Sequence, residues 1–396
     1  MVTPSEVIKP PSTSVGFIDW LKKNLFSTWY NVLLTLLSLW LIYTVLSRML
    51  KWAFISAEWG VVTSNLRLLM VGQFPPDQVW RVGLCLFMVS ALFGLSWGVW
   101  GGFIRSLAIA LAAGFGVLAI LPFGLEVQAW LVGNLALIML GYFVGRRLSG
   151  GGRWVLLGWL LSFALTILLL RGFKDSPVLP LVGTNLWGGL LLTFLLSIVG
   201  IVVSFPIGIL LALGRRSTLP VVRIFSVLFI ELVRGVPLVT ILFTAHVMLP
   251  LFLPKEMTVA HVLRAMTAMT LFSAAYMAEN VRGGLQAIPE GQFEAAKALG
   301  LNAPLTMLLI ILPQALQAVI PATVGQFISL FKDTSLAAIV GLVELLRIGQ
   351  FVLAQPQWLG RYREVYVFVA IIYFVFSYAM SYASYRLEVA LGVGKR

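Results

Sequence analysis

Charge is scarce in this chain. Only 11% of its 396 residues are Asp, Glu, Lys or Arg, against about 25% in soluble domains. That shortage excludes an ordinary soluble domain. A single cysteine, Cys85, excludes an internal disulfide and any multi-cysteine metal site. Two histidines, His246 and His261, are too few for a recognisable metal box, so no metal ligands are expected. There is no G-x-x-x-x-G-K-[ST] phosphate loop, since the one Gly-Lys pair is Gly394–Lys395 near the end of the sequence. His-Glu-x-x-His, the nucleophile elbow and the dinucleotide fingerprint are also missing. The chain therefore carries no catalytic signature, and any ATP it depends on must be bound elsewhere.

What is present is apolar. Hydrophobic residues make up 60% of the chain and the mean hydropathy is +0.98. Apolar runs close to the roughly 20 residues needed to cross a hydrocarbon core recur along it. Ten spans fit: 28–48, 81–100, 106–122, 127–145, 154–171, 186–214, 220–251, 258–286, 305–329 and 364–387. Residues 336–353 carry Glu344 and Arg347 and read as an interfacial or partly inserted helix. The fold class is an all-α integral membrane protein of about ten transmembrane helices.

The formal net charge of +13 does not point to nucleic acid, because Lys and Arg sit mostly at the ends of the apolar runs. Lys22, Lys23, Arg146, Arg147, Arg153, Arg215, Arg216, Arg386, Lys395 and Arg396 all fall on one side of the span pattern. With an even number of spans, both termini are expected in the cytoplasm. Lys51 and Arg67, in a 49–80 external loop, run against this assignment. Met1 to Asn24, with Lys9, lacks the apolar core and cleavage pattern of a signal peptide and reads as a cytoplasmic tail.

Spans one to five hold few ionisable residues. A Gly-rich break (SGGGR, 149–153) and a short external segment (GFKDSPVLPLVGT, 172–184) separate most of this region from the C-terminal spans. Prolines, glutamines and acids enter the spans from Asn185 onward. Residues 1–184 therefore read as a membrane extension and 185–396 as a working core.

Ionisable groups inside a bilayer are costly, and each is a functional candidate. Glu231 and Arg234 lie three apart and can neutralise one another on one helix face. Pro237 offers no N–H, and its ring clashes with the carbonyl of Val233, so the helix should kink or open there. The 220–251 run would be about 48 Å long if straight, which a break at Gly235 would resolve. Glu279 and Asn280 sit about a turn deeper than Arg282, either as a helix-end charge cluster or as contacts on a passage. Gln314 and Gln317 share one face of the ninth span, which Pro313 and Pro321 should bend. Lys332, Asp333, Thr334 and Ser335 come directly after it. These polar groups could line a passage or join neighbouring helices.

The small polar stretch GQFEAAKALG (291–300) stands out between two spans. Phe293, Ala296 and Leu299 give a narrow apolar stripe on a short helix, and Gly300 can take the left-handed conformation that ends it. Extended to residue 313, the stretch reads EAA-x3-G-x9-I-x-L-P through Glu294, Ala295, Ala296, Gly300, Ile310, Leu312 and Pro313. This resembles the EAA loop of the membrane subunits of ATP-binding-cassette importers. ELVRGVPL (231–238), AYMAENVRGG (275–284), IPEGQFEAAKALGL (288–301), LPQALQAVIPA (312–322) and KDTSL (332–336) resemble the polar and general L-amino-acid permeases. The resemblance covers about residues 185–396. The five N-terminal spans resemble, more loosely, the longer permease of general L-amino-acid importers.

The resemblance implies a five-helix type I importer permease core, acting by alternating access to move L-amino acids into the cytoplasm across a bacterial inner membrane. It implies a coupling helix near 290–301, with Gln292, Glu294, Ala295, Ala296 and Gly300 meeting an ATPase. Glu231, Arg234, Glu279, Asn280, Gln314, Gln317, Asp333 and Thr334 are the candidates for lining or gating the solute path, because polar and ionisable groups in a bilayer are costly and a zwitterion needs partners of both signs. The implied partners are a paralogous permease, two ATP-binding subunits holding ATP and Mg, and an external amino-acid-binding protein. A secondary transporter or channel acting alone is the other class. It should show broken helices in both halves, whereas here only the C-terminal half is polar and broken.

Overall fold

The computed structural model describes residues 16–121, 124–148, 150–254 and 257–392. Lys9, Lys395 and Arg396, and the start of the 149–153 break, lie outside them. Among the described residues the regular structure is helical, with two isolated bridges, Phe173–Pro180 and Gly189–Glu344. The chain divides into two compact units, residues 1–59 and 60–396.

In the first unit, α1 (Phe17–Asn24) and α2 (Trp29–Lys51) are joined by a short turn, and α2 runs on into a π-helical turn, Trp52–Ser56. Part of the expected tail is therefore helical. The Thr35 hydroxyl donates to the Leu25 carbonyl at 2.9 Å and pins the α1–α2 turn. No residue of α2 is buried within the chain, and the helix is long and apolar enough to cross a membrane.

The second unit begins with α3 (Gly60–Ser64) and α4 (Leu66–Val71), followed by α5 (Trp80–Trp100), α6 (Gly102–Ile120), α7 (Leu125–Arg147) and α8 (Gly151–Arg171). Within the expected 49–80 loop, residues 60–71 thus form two short helices. Val61, Leu69 and Phe74 are completely buried, because the segment is embedded against helices of the C-terminal half. α5 and α7 form a glycine seam. A β-carbon on Gly94 would lie 2.2 Å from the Ile138 carbonyl oxygen, and one on Gly141 would lie 2.5 Å from that of Ala91. Without a driving force from water, such close backbone packing is what holds membrane helices together. A buried Ser90–Asn134 hydrogen bond of 2.7 Å crosses the same seam.

The C-terminal helices are α9 (Gly189–Arg215), α10 (Pro220–Arg234), α11 (Leu238–Phe243), α12 (Leu249–Phe252), α13 (His261–Gln286), α14 (Glu290–Ala298), α15 (Ala303–Leu305), α16 (Leu312–Ala318), α17 (Ile320–Asp333), α18 (Leu345–Leu353) and α19 (Tyr362–Ala390). α13 packs along α9 at the centre, with Met277 filling the space a side chain at Gly208 would take. One apolar cluster, including Leu192, Leu242, Met269 and Leu330, occupies the end of the core where α9 begins. A second, including Ile230, Met277, Val281, Ile311 and Ala315, occupies the end where α9 and α13 finish.

Among the described residues, seven helical stretches are long and apolar enough to cross a membrane, and two further pairs qualify as bent spans. Pro220–Arg234 and Leu238–Phe252 meet at 106°, and Ala303–Ala318 and Ile320–Val340 meet at 61°. The first bend lies at Gly235–Pro237, as expected. The second lies between Pro313 and Pro321. α13, at 26 residues, is long enough to cross, but it is lined by protein and carries more polar side chains. The ten apolar runs thus become seven unbroken helices, two broken ones and this central one. The expected helix over 336–353 is instead split. A 3-10 segment, Thr334–Val340, ends at Gly341, whose φ is +83°, before α18 begins.

Candidate functional site

The ionisable residues of α9, α10 and α13 converge where those helices end. Arg234 Nη1 lies 3.2 Å from Glu279 Oε2, and Arg215 Nη1 lies 3.7 Å from the same oxygen. Arg215 also donates to Glu231 Oε1 at 2.9 Å. Arg282 Nε donates to Glu279 Oε1 at 2.9 Å, with Nη2 on the same oxygen. Arg282 Nη1 continues to Gln286 Oε1 at 2.8 Å. Arg234 also stacks over the ring of Tyr276, 5.5 Å from its centroid.

Glu279 is therefore the hub, holding three guanidinium groups from three helices. The expected Glu231–Arg234 pairing does not form. α9 and α13 both pack against the end of α10, so Glu231 meets Arg215 of α9 while Arg234 meets Glu279 of α13. Arg215, which reads in the sequence as an orientation charge alone, bridges the two carboxylates. Its position after the last apolar turn of α9 gave no sign of the partners that folding would bring.

The hub is one short step from the small helix α14. α13 ends at Gln286 and α14 starts at Glu290, with Pro289 as its N-cap. Its last turn closes through Gly300, whose φ is +79°, and Leu301 N–H donates to the Ala296 carbonyl at 3.1 Å. The apolar stripe divides on folding. Ala296 is buried (2% exposed) and Phe293 packs into the core, whereas Leu299 is 78% exposed. Ala296 is thus a seat for the helix and not part of its outer face. Glu290, Glu294 and Ala295 are exposed. Gln314 Nε2 donates to Gln292 Oε1 at 3.1 Å and ties the start of the second broken span to α14. A π-helical turn, Thr306–Ile311, lies between them.

Comparison with known proteins decides what this arrangement belongs to. Residues 204–389 match the family model described as binding-protein-dependent transport system inner membrane component. The inner membrane amino-acid ABC transporter permease YhdY of Escherichia coli K12 is 40% identical, over 95% of this chain and 93% of its own. The chain belongs to this permease family. The glutamate/glutamine/aspartate/asparagine permease BztC of Rhodobacter capsulatus is 37% identical, over 97% of this chain and 96% of its own. The probable glutamine permease GlnP of Bacillus subtilis is 37% identical, over 52% of this chain and 92% of its own. Among solved structures, an amino acid ABC transporter crystallised with histidines is 29% identical, over 50% of this chain and 90% of that chain, at a TM-score of 0.46. The protein is an all-α, multi-pass membrane permease subunit of the ATP-binding-cassette transporter family.

The remaining expected residues of the permease fall in two places. Asn280 Nδ2 donates to the Ala322 carbonyl of α17 at 3.4 Å, and Gln317 Nε2 donates to the Leu391 carbonyl beyond α19 at 2.8 Å. Gln314 and Gln317 therefore join helices. Asp333 and Thr334 lie away from the ion hub, where α17 passes into the 3-10 segment. Thr334 is fully buried, as is Glu344. Glu344 and Tyr373 form a site that sequence reading missed as such. A single Glu beside an amphipathic helix gave no sign that its carboxylate would cap that helix.

Proposed function

We propose that this permease moves L-amino acids into the cytoplasm, as one half of a pair with a paralogous permease. Two ATP-binding subunits holding ATP and Mg drive it, and an external amino-acid-binding protein delivers the solute. The names of the full-length relatives support the cargo class. The half-length match to GlnP supports a core over about residues 185–396, preceded by an extension over 1–184. In a bacterial inner membrane, both termini and α14 face the cytoplasm.

The observation that carries the mechanism is the short distance in sequence between the charge hub and α14. α14 is the coupling helix: Glu294, Ala295 and Leu299 meet an ATPase, while Ala296, Gln292 and Gly300 fix the helix on the permease. When the ATPases close, α14 moves and α13 moves with it. Glu279 then shifts relative to Arg215 and Arg234, and the bend at Gly235–Pro237 opens in turn. Glu231, Arg234 and Glu279 act as an inner latch. Asn280, Asp333 and Thr334 contribute to the passage, whose zwitterionic solute needs partners of both signs. Co-purification from native membrane tests the assembly. A companion permease and ATPase are expected to be recovered, with uptake dependent on ATP. Solute flux by the purified chain alone would overturn the reading in favour of a solitary transporter.

A further inference from the structure

Three distant stretches of backbone meet at the end of the core opposite α14. A β-carbon on Gly72 would lie 2.4 Å from the Cα of Gly188, and one on Gly189 would lie 2.3 Å from the Leu69 carbonyl oxygen. Gly72 and Gly189 have φ of +65° and +58°, a region that glycine enters freely and other residues do not. The Gly189 N–H donates to the Val343 carbonyl at 2.8 Å. One turn on, the Thr193 hydroxyl accepts the Leu345 N–H at 3.2 Å. The end of α4, the start of α9 and the approach to α18 are thus joined by close backbone contacts at Gly72, Gly188 and Gly189, with the Thr193 hydroxyl as a further tie.

Directly behind lies the completely buried carboxylate of Glu344. It accepts the Leu346 and Arg347 N–H groups, each at 2.8 Å, and the Tyr373 hydroxyl at 3.1 Å. The Tyr373 oxygen is 3.3 Å from the Thr334 hydroxyl, which donates to the Phe331 carbonyl at 2.6 Å. An unbroken run of contacts therefore leads from the extension to the KDTSL segment, 332–336. On the extension side it is anchored by Phe74, completely buried in a cluster with Trp187 and Leu195.

We infer that the extension is a positioning element for solute passage: residues 60–74, through the Gly72–Gly188 contact and the Glu344–Tyr373–Thr334 hydrogen bonds, set the placement of segment 332–336. The inference rests on the reading of that segment as part of the passage. Carbon atoms sit about 3.5 Å apart at contact, so a methyl group at Gly72 must displace the start of α9 by about 1 Å. Packed backbone passes such a displacement on, because it has no loose volume to take it up.

The test uses the assembled complex in lipid, with Gly72→Ala, the milder Phe74→Leu, and Tyr373→Phe, which removes only the hydroxyl. Amide hydrogen exchange over 331–346 and uptake of solute presented by the binding protein are measured together. All three variants are expected to speed exchange in that segment. KM is expected to rise about fivefold, in the range that mutations between coupled sites produce, while maximal rate and ATP hydrolysis stay near wild type. A merely structural role would lower the amount of complex and leave KM unchanged. Unaltered exchange over 331–346 in the extension-side variants, Phe74→Leu standing alone if Gly72→Ala does not assemble, overturns the inference. Faster exchange with a wild-type KM overturns the assignment of 332–336 to the passage.

Discussion

Replacing Glu279 with Gln tests the latch at its centre. The amide keeps the size of the side chain and one acceptor oxygen but removes the charge that holds Arg215, Arg234 and Arg282 together. The side chains of Glu279, Arg234, Arg215 and Arg282 are 23%, 31%, 28% and 32% exposed, so water screens the cluster without dissolving it. A hydrogen bond to a charged group is worth about 1.5–3 kcal/mol, and the mutual repulsion of the arginines adds to its loss. Partial exposure discounts the total, leaving about 2 kcal/mol. If the latch exists in only one of the two access states, that is a shift of about thirtyfold between them. In proteoliposomes holding the complete complex, uptake should fall, while ATP hydrolysis without the binding protein rises. A double-mutant cycle with Arg234→Gln should return a coupling well above the roughly 0.5 kcal/mol expected of independent sites. Additive behaviour, together with wild-type coupling of hydrolysis to uptake in Glu279→Gln, would refute the latch.

Gly300→Val should impair uptake while leaving membrane insertion intact, because a side chain at its left-handed φ costs about 1–2 kcal/mol and frays the end of α14. Uptake and membrane fractionation measured side by side check this, and normal uptake would remove the coupling role of that turn. Pro237→Ala restores an N–H and relieves the clash with the preceding turn, so the 106° bend should narrow. Distances between spin labels on the exposed Ile224 and Leu251 would report it. Gly94→Val overpacks the α5–α7 seam and should destabilise the extension by about 1–3 kcal/mol, seen as a lower unfolding midpoint of the purified complex. An unchanged midpoint would mean that the seam does not hold the extension together.

The broken span was legible because its cause is local. A run too long for the membrane, with Pro237 inside it, can be resolved only by a break, and the break lies there. The Gly300 turn was legible for the same reason. The partners of the charges were not. Glu231 and Arg234 satisfy the spacing rule for a helical ion pair, yet each bonds a different helix, because α9 and α13 both pack on the end of α10 and bring Arg215 to Glu231 and Glu279 to Arg234. Periodicity likewise grouped Phe293, Ala296 and Leu299 on one stripe but could not say that Ala296 would be buried and Phe293 partly covered by their own chain. The 49–80 stretch hid its short helices through composition: interrupted hydropathy resembles a surface connection, and short buried helices leave the same trace.

The sequence by itself determined that this protein lives in a membrane, where its helices break, and which family it resembles, since apolar length, proline geometry and contiguous motifs are properties of the chain read in order. Only the tertiary structure decided which arginine meets which carboxylate, which face of α14 is turned outward, and that the end of α4 meets the start of α9 at Gly72 and Gly188. Those are contacts between residues far apart in sequence, and their energies depend on distances that exist only once the helices have packed.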